Sequence, residues 1–216
     1  MKGKATLQLV RNATLKLDYA GRTILVDPVL AEKGTLMSAL GVNRNPRVHL
    51  TMPVSEVTKG VDTILLTHNH IDHYEPGVRQ HLPEDILFLV QPQDKEAISA
   101  DGFTNVQPIG EETALGELRI RRIGGHHGFG KLGEMMGPVS GYLLRAEGYP
   151  AVFIMGDCCR EEKIMEFIEK EKPDYTVVNS GGAVFPELSK DFGAIIPDEC
   201  DVIRMMEQSP AQCKFI

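Results

Sequence analysis

The chain has 216 residues, of which 42% are hydrophobic and 25% charged, and it carries a formal net charge of −7. This length and composition predict a single globular domain over residues 1–216, and the acidic charge argues against a general affinity for nucleic acid or anionic membranes. The N-terminus lacks the apolar run of a signal peptide, and no segment approaches the roughly 18 apolar residues of a membrane span, so we expect a cytoplasmic protein.

The first third of the chain alternates polar and apolar residues with the period of two that is typical of strands. Three short strands are predicted at 6–10, 13–19 and 22–27, and their short spacing favours an antiparallel meander. Residues 30–53 contain Gly, Asn and Pro without a regular pattern, and they are predicted to form a long loop. Loops of this length in compact domains are often functional.

The rest of the chain alternates between apolar runs and amphipathic segments, which favours one α/β domain. Buried or alternating strands are predicted at 62–67, 86–90, 117–124, 139–146, 150–156 and 175–179, with the start of another at 213–216. Helices are predicted at 93–102, at 160–173 and at 198–209. The second is stopped by Pro173, and the third begins with Asp198 as its N-cap. Residues 124–138 are predicted as a glycine-rich loop, and residues 180–183 as a turn.

Directly after the predicted strand 62–67, four ligand-type residues fall within six positions. They are His68, His70, Asp72 and His73, and they are called the histidine cluster below. Residues two apart in extended backbone point the same way, and the next two reach a second position where the chain turns. Neutral imidazoles and a carboxylate suit zinc, manganese or iron. A chance cluster of surface histidines is the alternative, and the spacing favours the metal site.

Four segments together resemble those of the metallo-β-lactamase-fold hydrolases, in particular the branch of the ascorbate-phosphate lactonases. The segments are T-H-x-H-x-D-H from Thr67 to His73, the stretch at 13–28 ending in Asp27-Pro28, the loop GGHHG at 124–128, and Gly156-Asp157 after a strand. The resemblance covers essentially the whole chain. It implies an α/β fold of the four-layer αβ/βα sandwich type, with metals at one edge between the two sheets.

The resemblance also implies a ligand set for one or two divalent metal ions, with zinc preferred over manganese or iron. His68, His70 and His127 would hold one ion; Asp72, His73 and a histidine near the C-terminus would hold the other, with Asp157 bridging. Asp72 is in addition the candidate catalytic carboxylate. A water shared by two ions becomes the nucleophile near neutral pH, which predicts hydrolysis of an ester, lactone or phosphoester bond in a small molecule.

Several of these assignments have alternatives that the sequence leaves open. His127 is preferred to its neighbour His126, which would then be a group of the pocket or a support for a ligand. Asp157 has the alternative of capping the following helix, and Asp27 either supports a ligand or forms a turn. Cys158 is either a substitute ligand or a small buried residue. All four cysteines are expected to be reduced.

Arg11 and Arg47 have two interpretations: they would neutralise an anionic substrate, or they lie on the surface as ordinary charged residues.

One expected ligand has no counterpart, because no histidine follows His127. Three explanations compete: a truncated polypeptide, a partner chain that supplies the missing element, or an incomplete site. Truncation is favoured, because a strand that ends after four residues exposes an unpaired sheet edge. Such an edge would also favour homo-oligomers. A nuclease of the same fold, or a non-catalytic relative that binds metal, are the alternatives to a small-molecule hydrolase.

Overall fold

The computed structural model describes residues 3–38 and 43–216. These residues form two compact units. The N-terminal unit is Lys4–Gly110, and the C-terminal unit is Glu111–Ile216 together with Gly3. Each unit contains one six-stranded sheet. The prediction of one domain over residues 1–216 stays a prediction.

The sheet of the N-terminal unit begins as an antiparallel meander and continues as parallel strands. Its six strands are β1 (Thr6–Arg11), β2 (Thr14–Tyr19), β3 (Arg22–Val26), β4 (Thr63–Leu65), β5 (Leu87–Val90) and β6 (Val106–Pro108). They lie side by side in chain order. β1, β2 and β3 pair antiparallel, which confirms the predicted meander, and β3 to β6 pair parallel. The turn between β2 and β3 has a positive φ at Ala20 and Gly21.

Two short helices, α1 (Val54–Thr58) and α2 (Lys95–Ala100), belong to the N-terminal unit. Its core packs aromatic side chains at close range: the ring of Phe88 lies 5.8 Å from that of Tyr74 and 4.9 Å from that of Phe103. The predicted loop at 30–53 has neither helix nor strand within its described residues, apart from one bridge between Leu36 and Asn45. Positions 39–42 of that loop lie outside the described residues.

The sheet of the C-terminal unit has its strands in the reverse order, β12-β11-β10-β9-β8-β7. The strands are β7 (Glu112–Leu115), β8 (Leu118–His126), β9 (Pro138–Arg145), β10 (Val152–Ile154), β11 (Tyr175–Val177) and β12 (Lys214–Phe215). β9 is antiparallel to both of its neighbours, while β10, β11 and β12 are parallel. β8 therefore runs in the same direction as β10 and β11.

Four helices complete this unit. They are α3 (Gly130–Met136), α4 (Glu162–Glu171), α5 (Ser189–Phe192) and α6 (Glu199–Gln208). Buried Ile164 and Ile168 of α4 and Met205 of α6 pack against the sheet residues of the unit's core. Asp198 caps α6 as predicted, since its Oδ1 accepts a hydrogen bond of 2.8 Å from the Asp201 amide.

The structure corrects the prediction of a glycine-rich loop at 124–138. β8 continues to His126, and α3 occupies most of the rest. The glycines had suggested a loop, but they permit close packing instead. A Cβ on Gly133 would clash with the Gly128 carbonyl oxygen, and one on Gly130 would lie 2.5 Å from the Phe192 ring. Within the described residues, no helix is both long enough and apolar enough to span a membrane.

Candidate metal centre

The histidine cluster lies at the carboxyl edge of the N-terminal sheet, where the chain leaves β4. The chain then turns tightly: the amides of His73 and Tyr74 both donate to the His70 carbonyl, at 2.9 and 2.7 Å. This turn places His68 and His73 in buried positions and leaves His70 half-buried. The ring centroids of His68 and His73 lie 4.2 Å apart. A local turn therefore converts the spacing in the sequence into a compact group of imidazoles.

A buried carboxylate supports this group from the neighbouring strand end. Asp27 follows β3, and its Oδ1 accepts a hydrogen bond of 2.8 Å from the Thr67 amide. Its Oδ2 accepts from the Thr67 hydroxyl at 2.8 Å and lies 2.7 Å from Nδ1 of His73. These contacts favour the interpretation of Asp27 as the support of a ligand, although its positive φ of 46° also places it in a turn of the backbone.

These hydrogen bonds determine which nitrogen of each ring carries the proton. Because the Thr67 hydroxyl donates to Asp27, it accepts from Nδ1 of His68, 3.1 Å away. His73 likewise donates its Nδ1–H to Asp27. The lone pairs of both rings are then on Nε2, the arrangement of many metal-binding histidines. Burial raises the pKa of the Asp27 carboxyl, while His73 and Thr67 oppose this shift by stabilising the carboxylate.

The separation of two ring nitrogens tests whether the cluster fits a metal ion. Nε2 of His68 lies 3.0 Å from Nδ1 of His70. Two imidazole nitrogens bound to one tetrahedral zinc ion lie about 3.3 Å apart, given zinc–nitrogen bonds of about 2.0 Å. The two nitrogens are thus close to the positions that a shared ion would require. The donor set and its separation fit a divalent metal.

Asp72 occupies a different position from the histidines. It lies on the exposed side of the turn, and its carboxylate makes no hydrogen bond or ion pair with any described residue. Its predicted roles as a ligand of the second ion and as a catalytic carboxylate stay predictions.

In the C-terminal unit, His127 follows β8 and is 2% exposed. Its Nδ1 lies 2.8 Å from the carbonyl oxygen of Ile195, to which it donates, so the lone pair of the neutral ring is on Nε2. That Nε2 lies 3.3 Å from Oδ2 of Asp157. The spacing again matches two ligand atoms of one ion.

Asp157 follows β10, at the same edge of the sheet. Its Oδ1 accepts a hydrogen bond of 2.8 Å from the side-chain amide of Asn179, which follows β11. The alternative of a helix cap for Asp157 is wrong, because the residue before α4 is Glu161. Asp157 thus presents one oxygen to Asn179 and the other towards His127.

The structure separates the two neighbouring histidines. His126 is exposed, and its Nδ1 lies 2.8 Å from Oε2 of Glu161, whereas His127 points inwards. These positions favour His127 as the ligand, in agreement with the sequence preference. Cys158 is fully buried in the core of this unit, and burial raises the pKa of its thiol. The alternative of a small buried cysteine is confirmed for Cys158, and all four cysteines are unbridged thiols.

Sequence reasoning missed the residues that orient the candidate ligands. Thr67 was recognised only as part of a motif, although its hydroxyl links His68 to Asp27. Asn179 lies at the end of a predicted strand, and its hydrogen bond to Asp157 was not predicted. The sequence does carry a signal for Asn179, because polar residues that follow neighbouring parallel strands meet at one edge of the sheet. The Ile195 carbonyl left no signal, since any residue provides a carbonyl.

Arg11 has a structural role that neither of its interpretations anticipated. It is 4% exposed, and its guanidinium donates to the carbonyl oxygens of Val29, Ala31 and Val48 at 2.8 to 3.2 Å. It thereby fixes both ends of the long loop, next to a cavity of about 360 Å³. The surface interpretation of Arg11 is wrong.

Comparison with known proteins gives the family. Residues 22–189 match the model of the beta-lactamase superfamily domain. The UPF0173 protein YddR of Bacillus subtilis (strain 168) is 30% identical over 207 residues, which cover 93% of this chain and 80% of that protein. A UPF0173 metal-dependent hydrolase of Azorhizobium caulinodans is 24% identical over 79% of this chain and 70% of its own length.

Two solved structures are similar over almost the whole chain. The isothiocyanate hydrolase from Delia radicum gut bacteria has 31% identity and a TM-score of 0.88, over 98% of this chain and 83% of that one. A possible metal-dependent hydrolase from Veillonella parvula has 27% identity and a TM-score of 0.90, over 97% and 82%. The ascorbate-phosphate lactonase branch is not among these relatives and stays a prediction. The chain belongs to the beta-lactamase superfamily and, within it, to the UPF0173 metal-dependent hydrolases, with the two-sheet α/β metallo-β-lactamase fold.

Proposed function

We propose that the chain hydrolyses an ester, lactone or phosphoester bond of a small molecule with the help of one or two divalent metal ions, zinc in the first place and manganese or iron as alternatives. The proposed ligands are the histidine cluster of the N-terminal unit and His127 and Asp157 of the C-terminal unit. Action in the cytoplasm and assembly into homo-oligomers are further proposals from the sequence.

One observation carries this proposal. Three buried histidines each hold one ring nitrogen against a protein partner and keep the lone pair on the other nitrogen. The partners are Thr67 for His68, Asp27 for His73 and the Ile195 carbonyl for His127. Buried imidazoles fixed in this tautomer are already oriented as ligands, so little free energy is spent on arranging them when an ion binds.

A bound ion would supply the chemistry by lowering the pKa of water and by polarising the scissile bond. The chain's own residues contribute orientation and charge. Asp27 keeps the two imidazoles beside it in one tautomer, and the carboxylate of Asp157 adds negative charge, which favours a cation over a neutral occupant.

Isothiocyanate hydrolysis is a second candidate, supported by the 31% identity and TM-score of 0.88 with an isothiocyanate hydrolase. In that reaction, water adds to the central carbon of R–N=C=S, and the products are the amine R–NH₂ and carbonyl sulfide. Like ester hydrolysis, it needs an activated water and an electrophilic carbon, so the same residues would serve both reactions.

The test begins with metal content and turnover of the purified protein. The protein is loaded with zinc, manganese or iron, and metal is counted by plasma mass spectrometry. Four small-molecule substrates are compared: 4-nitrophenyl acetate, γ-butyrolactone, bis(4-nitrophenyl) phosphate and benzyl isothiocyanate, with a single-stranded RNA to detect a nuclease. We expect bound metal and turnover of at least one of the four.

Variants connect turnover to the proposed ligands. His68→Ala and His127→Ala should each bind less metal, and kcat/KM should fall at least about a hundredfold, because each variant removes one proposed metal ligand. His81→Ala is the matched control, since His81 is exposed. A protein that hydrolyses none of these compounds, with or without bound metal, would be a non-catalytic relative, and hydrolysis of the RNA alone would establish a nuclease.

A further inference from the structure

A cavity of about 460 Å³ opens beside His127, entirely within the C-terminal unit. Five glycines line it and expose their backbone: Gly125, Gly128, Gly130, Gly133 and Gly137. The side chains of His126, His127, Glu134 and Pro138 complete the lining. This volume suits a small molecule. Because glycines form so much of the wall, its few side chains decide which chemical groups the cavity accepts.

His126 is fixed in this wall although its ring faces solvent. Its side chain is 63% exposed, whereas that of Glu161 is only 14% exposed. Glu161 accepts two hydrogen bonds from the same residue, from the His126 amide at 3.0 Å and from its Nδ1 at 2.8 Å. The His126 carbonyl in turn accepts from the Cys159 amide at 2.7 Å. An exposed side chain usually keeps its rotational freedom. The His126 ring is an exception, because its hydrogen bonds to Glu161 hold it in one orientation.

The carboxylate of Glu161 also decides where the His126 proton lies. An ionised carboxylate only accepts hydrogen bonds, so Nδ1 of His126 carries a proton, and in the neutral ring the lone pair is on Nε2. Nε2 makes no hydrogen bond with any described residue. The neutral imidazole therefore offers one acceptor to a ligand in the cavity.

Apolar surface lies next to this acceptor. Phe129 is 40% exposed, and the centroid of its ring lies 5.9 Å from that of His126. Glu134 in the lining and Glu161 behind the ring both carry negative charge, which disfavours an anionic ligand. The combination suits a neutral molecule with a hydrogen-bond donor beside an apolar part.

We propose that this cavity is a substrate subsite in which Nε2 of His126 accepts a hydrogen bond from an O–H or N–H group, while Phe129, outside the cavity lining but beside the His126 ring, contacts an apolar part of the same molecule where it extends from the cavity. Glu161 is the positioning residue, because it acts through His126. The proposal rests on the proposed function in taking the cavity beside His127 as the substrate's place. It predicts hydroxylated esters and lactones as the preferred class.

A matched pair of lactones tests this subsite by binding rather than by turnover. The probes are α-hydroxy-γ-butyrolactone and γ-butyrolactone, which differ by one hydroxyl donor. Both are titrated into metal-free protein with ¹⁵N-labelled histidine, so that neither lactone is hydrolysed during the measurement, and the His126 ring resonances give each Kd and the tautomer. The hydroxylated lactone should bind about fivefold more tightly, the factor expected for one neutral hydrogen bond, and Nδ1 should carry the proton.

Two variants separate the hydrogen bond from general packing. His126→Ala should make the two Kd values equal. Glu161→Gln should move the proton to Nε2, because a glutamine amide donates to Nδ1, and the preference for the hydroxylated lactone should fall at least about threefold as the acceptor becomes a donor. Glu166→Gln, at an exposed position of α4, is the control and should leave both Kd values and the tautomer unchanged.

The outcomes distinguish this inference from the proposed function. Equal Kd values in the natural sequence, no binding of either lactone, or an unchanged preference in Glu161→Gln would each overturn the subsite. If the protein hydrolyses lactones but binds both equally, the subsite alone is wrong. If it prefers the hydroxylated lactone but holds no metal and turns over none of the four substrates, the proposed hydrolase is wrong and the subsite stands.

Discussion

The two units present their candidate ligands at the same kind of place, the carboxyl edge of a sheet, but they build it differently. In the N-terminal unit, one turn after β4 supplies His68, His70 and His73, and a single carboxylate, Asp27, supports two of them. In the C-terminal unit, His127 and Asp157 come from two strand ends. Each of them has its own partner: the Ile195 carbonyl for His127 and the Asn179 side chain for Asp157.

This difference has an energetic consequence. Support in the N-terminal unit is concentrated in one residue, so a single substitution should disturb several ligands at once. Support in the C-terminal unit is distributed over separate contacts, each of which should contribute less. Variants of the supporting residues, rather than of the ligands themselves, distinguish concentrated from distributed support.

The largest effect is expected for Asp27→Asn. An asparagine offers one acceptor oxygen, whereas Asp27 accepts from the Thr67 amide, the Thr67 hydroxyl and Nδ1 of His73. The tautomers of the rings are then no longer fixed, and zinc affinity should fall about 10- to 100-fold. Competition with a chromophoric zinc chelator measures this change. Asp85→Asn, at an exposed position, is the control, and an unchanged affinity in Asp27→Asn would refute concentrated support.

Gly125→Ala probes the backbone on which the C-terminal unit relies. A Cβ at Gly125 would lie 2.5 Å from Sγ of Cys158, whereas a Cβ at Gly124 has no atom nearer than 3.5 Å. Gly125→Ala should therefore lower the free energy of unfolding by about 1–3 kcal/mol through overpacking. Urea denaturation of the metal-free protein measures the loss.

Gly124→Ala is the matched control for this variant, and its stability should stay close to that of the natural sequence. Equal stabilities for the two variants would mean that β8 can move away from Cys158 at little cost. The close approach of the strand would then not be what holds His126 and His127 in place.

These contrasts explain how much of the site could be read from the sequence. The histidine cluster is visible because all its members lie within one turn, and the strand before it follows from its apolar run. His127 and Asp157 were assigned as ligands only through the resemblance to a family, because they lie far apart along the chain and form no local pattern. The long glycine-rich segment was misassigned, because Gly130 and Gly133 serve tertiary packing that a local pattern cannot reveal.

A smaller effect is expected for Asn179→Ala. This change removes a hydrogen bond of 2.8 Å to Oδ1 of Asp157, while the rest of the Asp157 environment is unchanged. Zinc affinity should fall about fivefold, the factor for one hydrogen bond. The same chelator competition measures it, with Asn105→Ala as a control because Asn105 bonds only within the N-terminal unit. A loss as large as that of Asp27→Asn would show that support in the C-terminal unit is also concentrated.

The smallest effect is expected for Cys159→Ser. Sγ of Cys159 accepts from the Gly128 amide at 3.1 Å and donates to the Ile195 carbonyl at 3.3 Å, the same carbonyl that accepts from His127. Burial raises the pKa of this thiol to about 11, so it is a neutral donor near pH 7. A serine hydroxyl is also a neutral donor and acceptor there. Zinc affinity should stay within about twofold and the free energy of unfolding within about 1 kcal/mol, because both hydrogen bonds are kept. A fall in zinc affinity comparable to that of Asp27→Asn would instead assign the Cys159 sulfur to the metal, since only a coordinating thiolate would be so sensitive to this exchange.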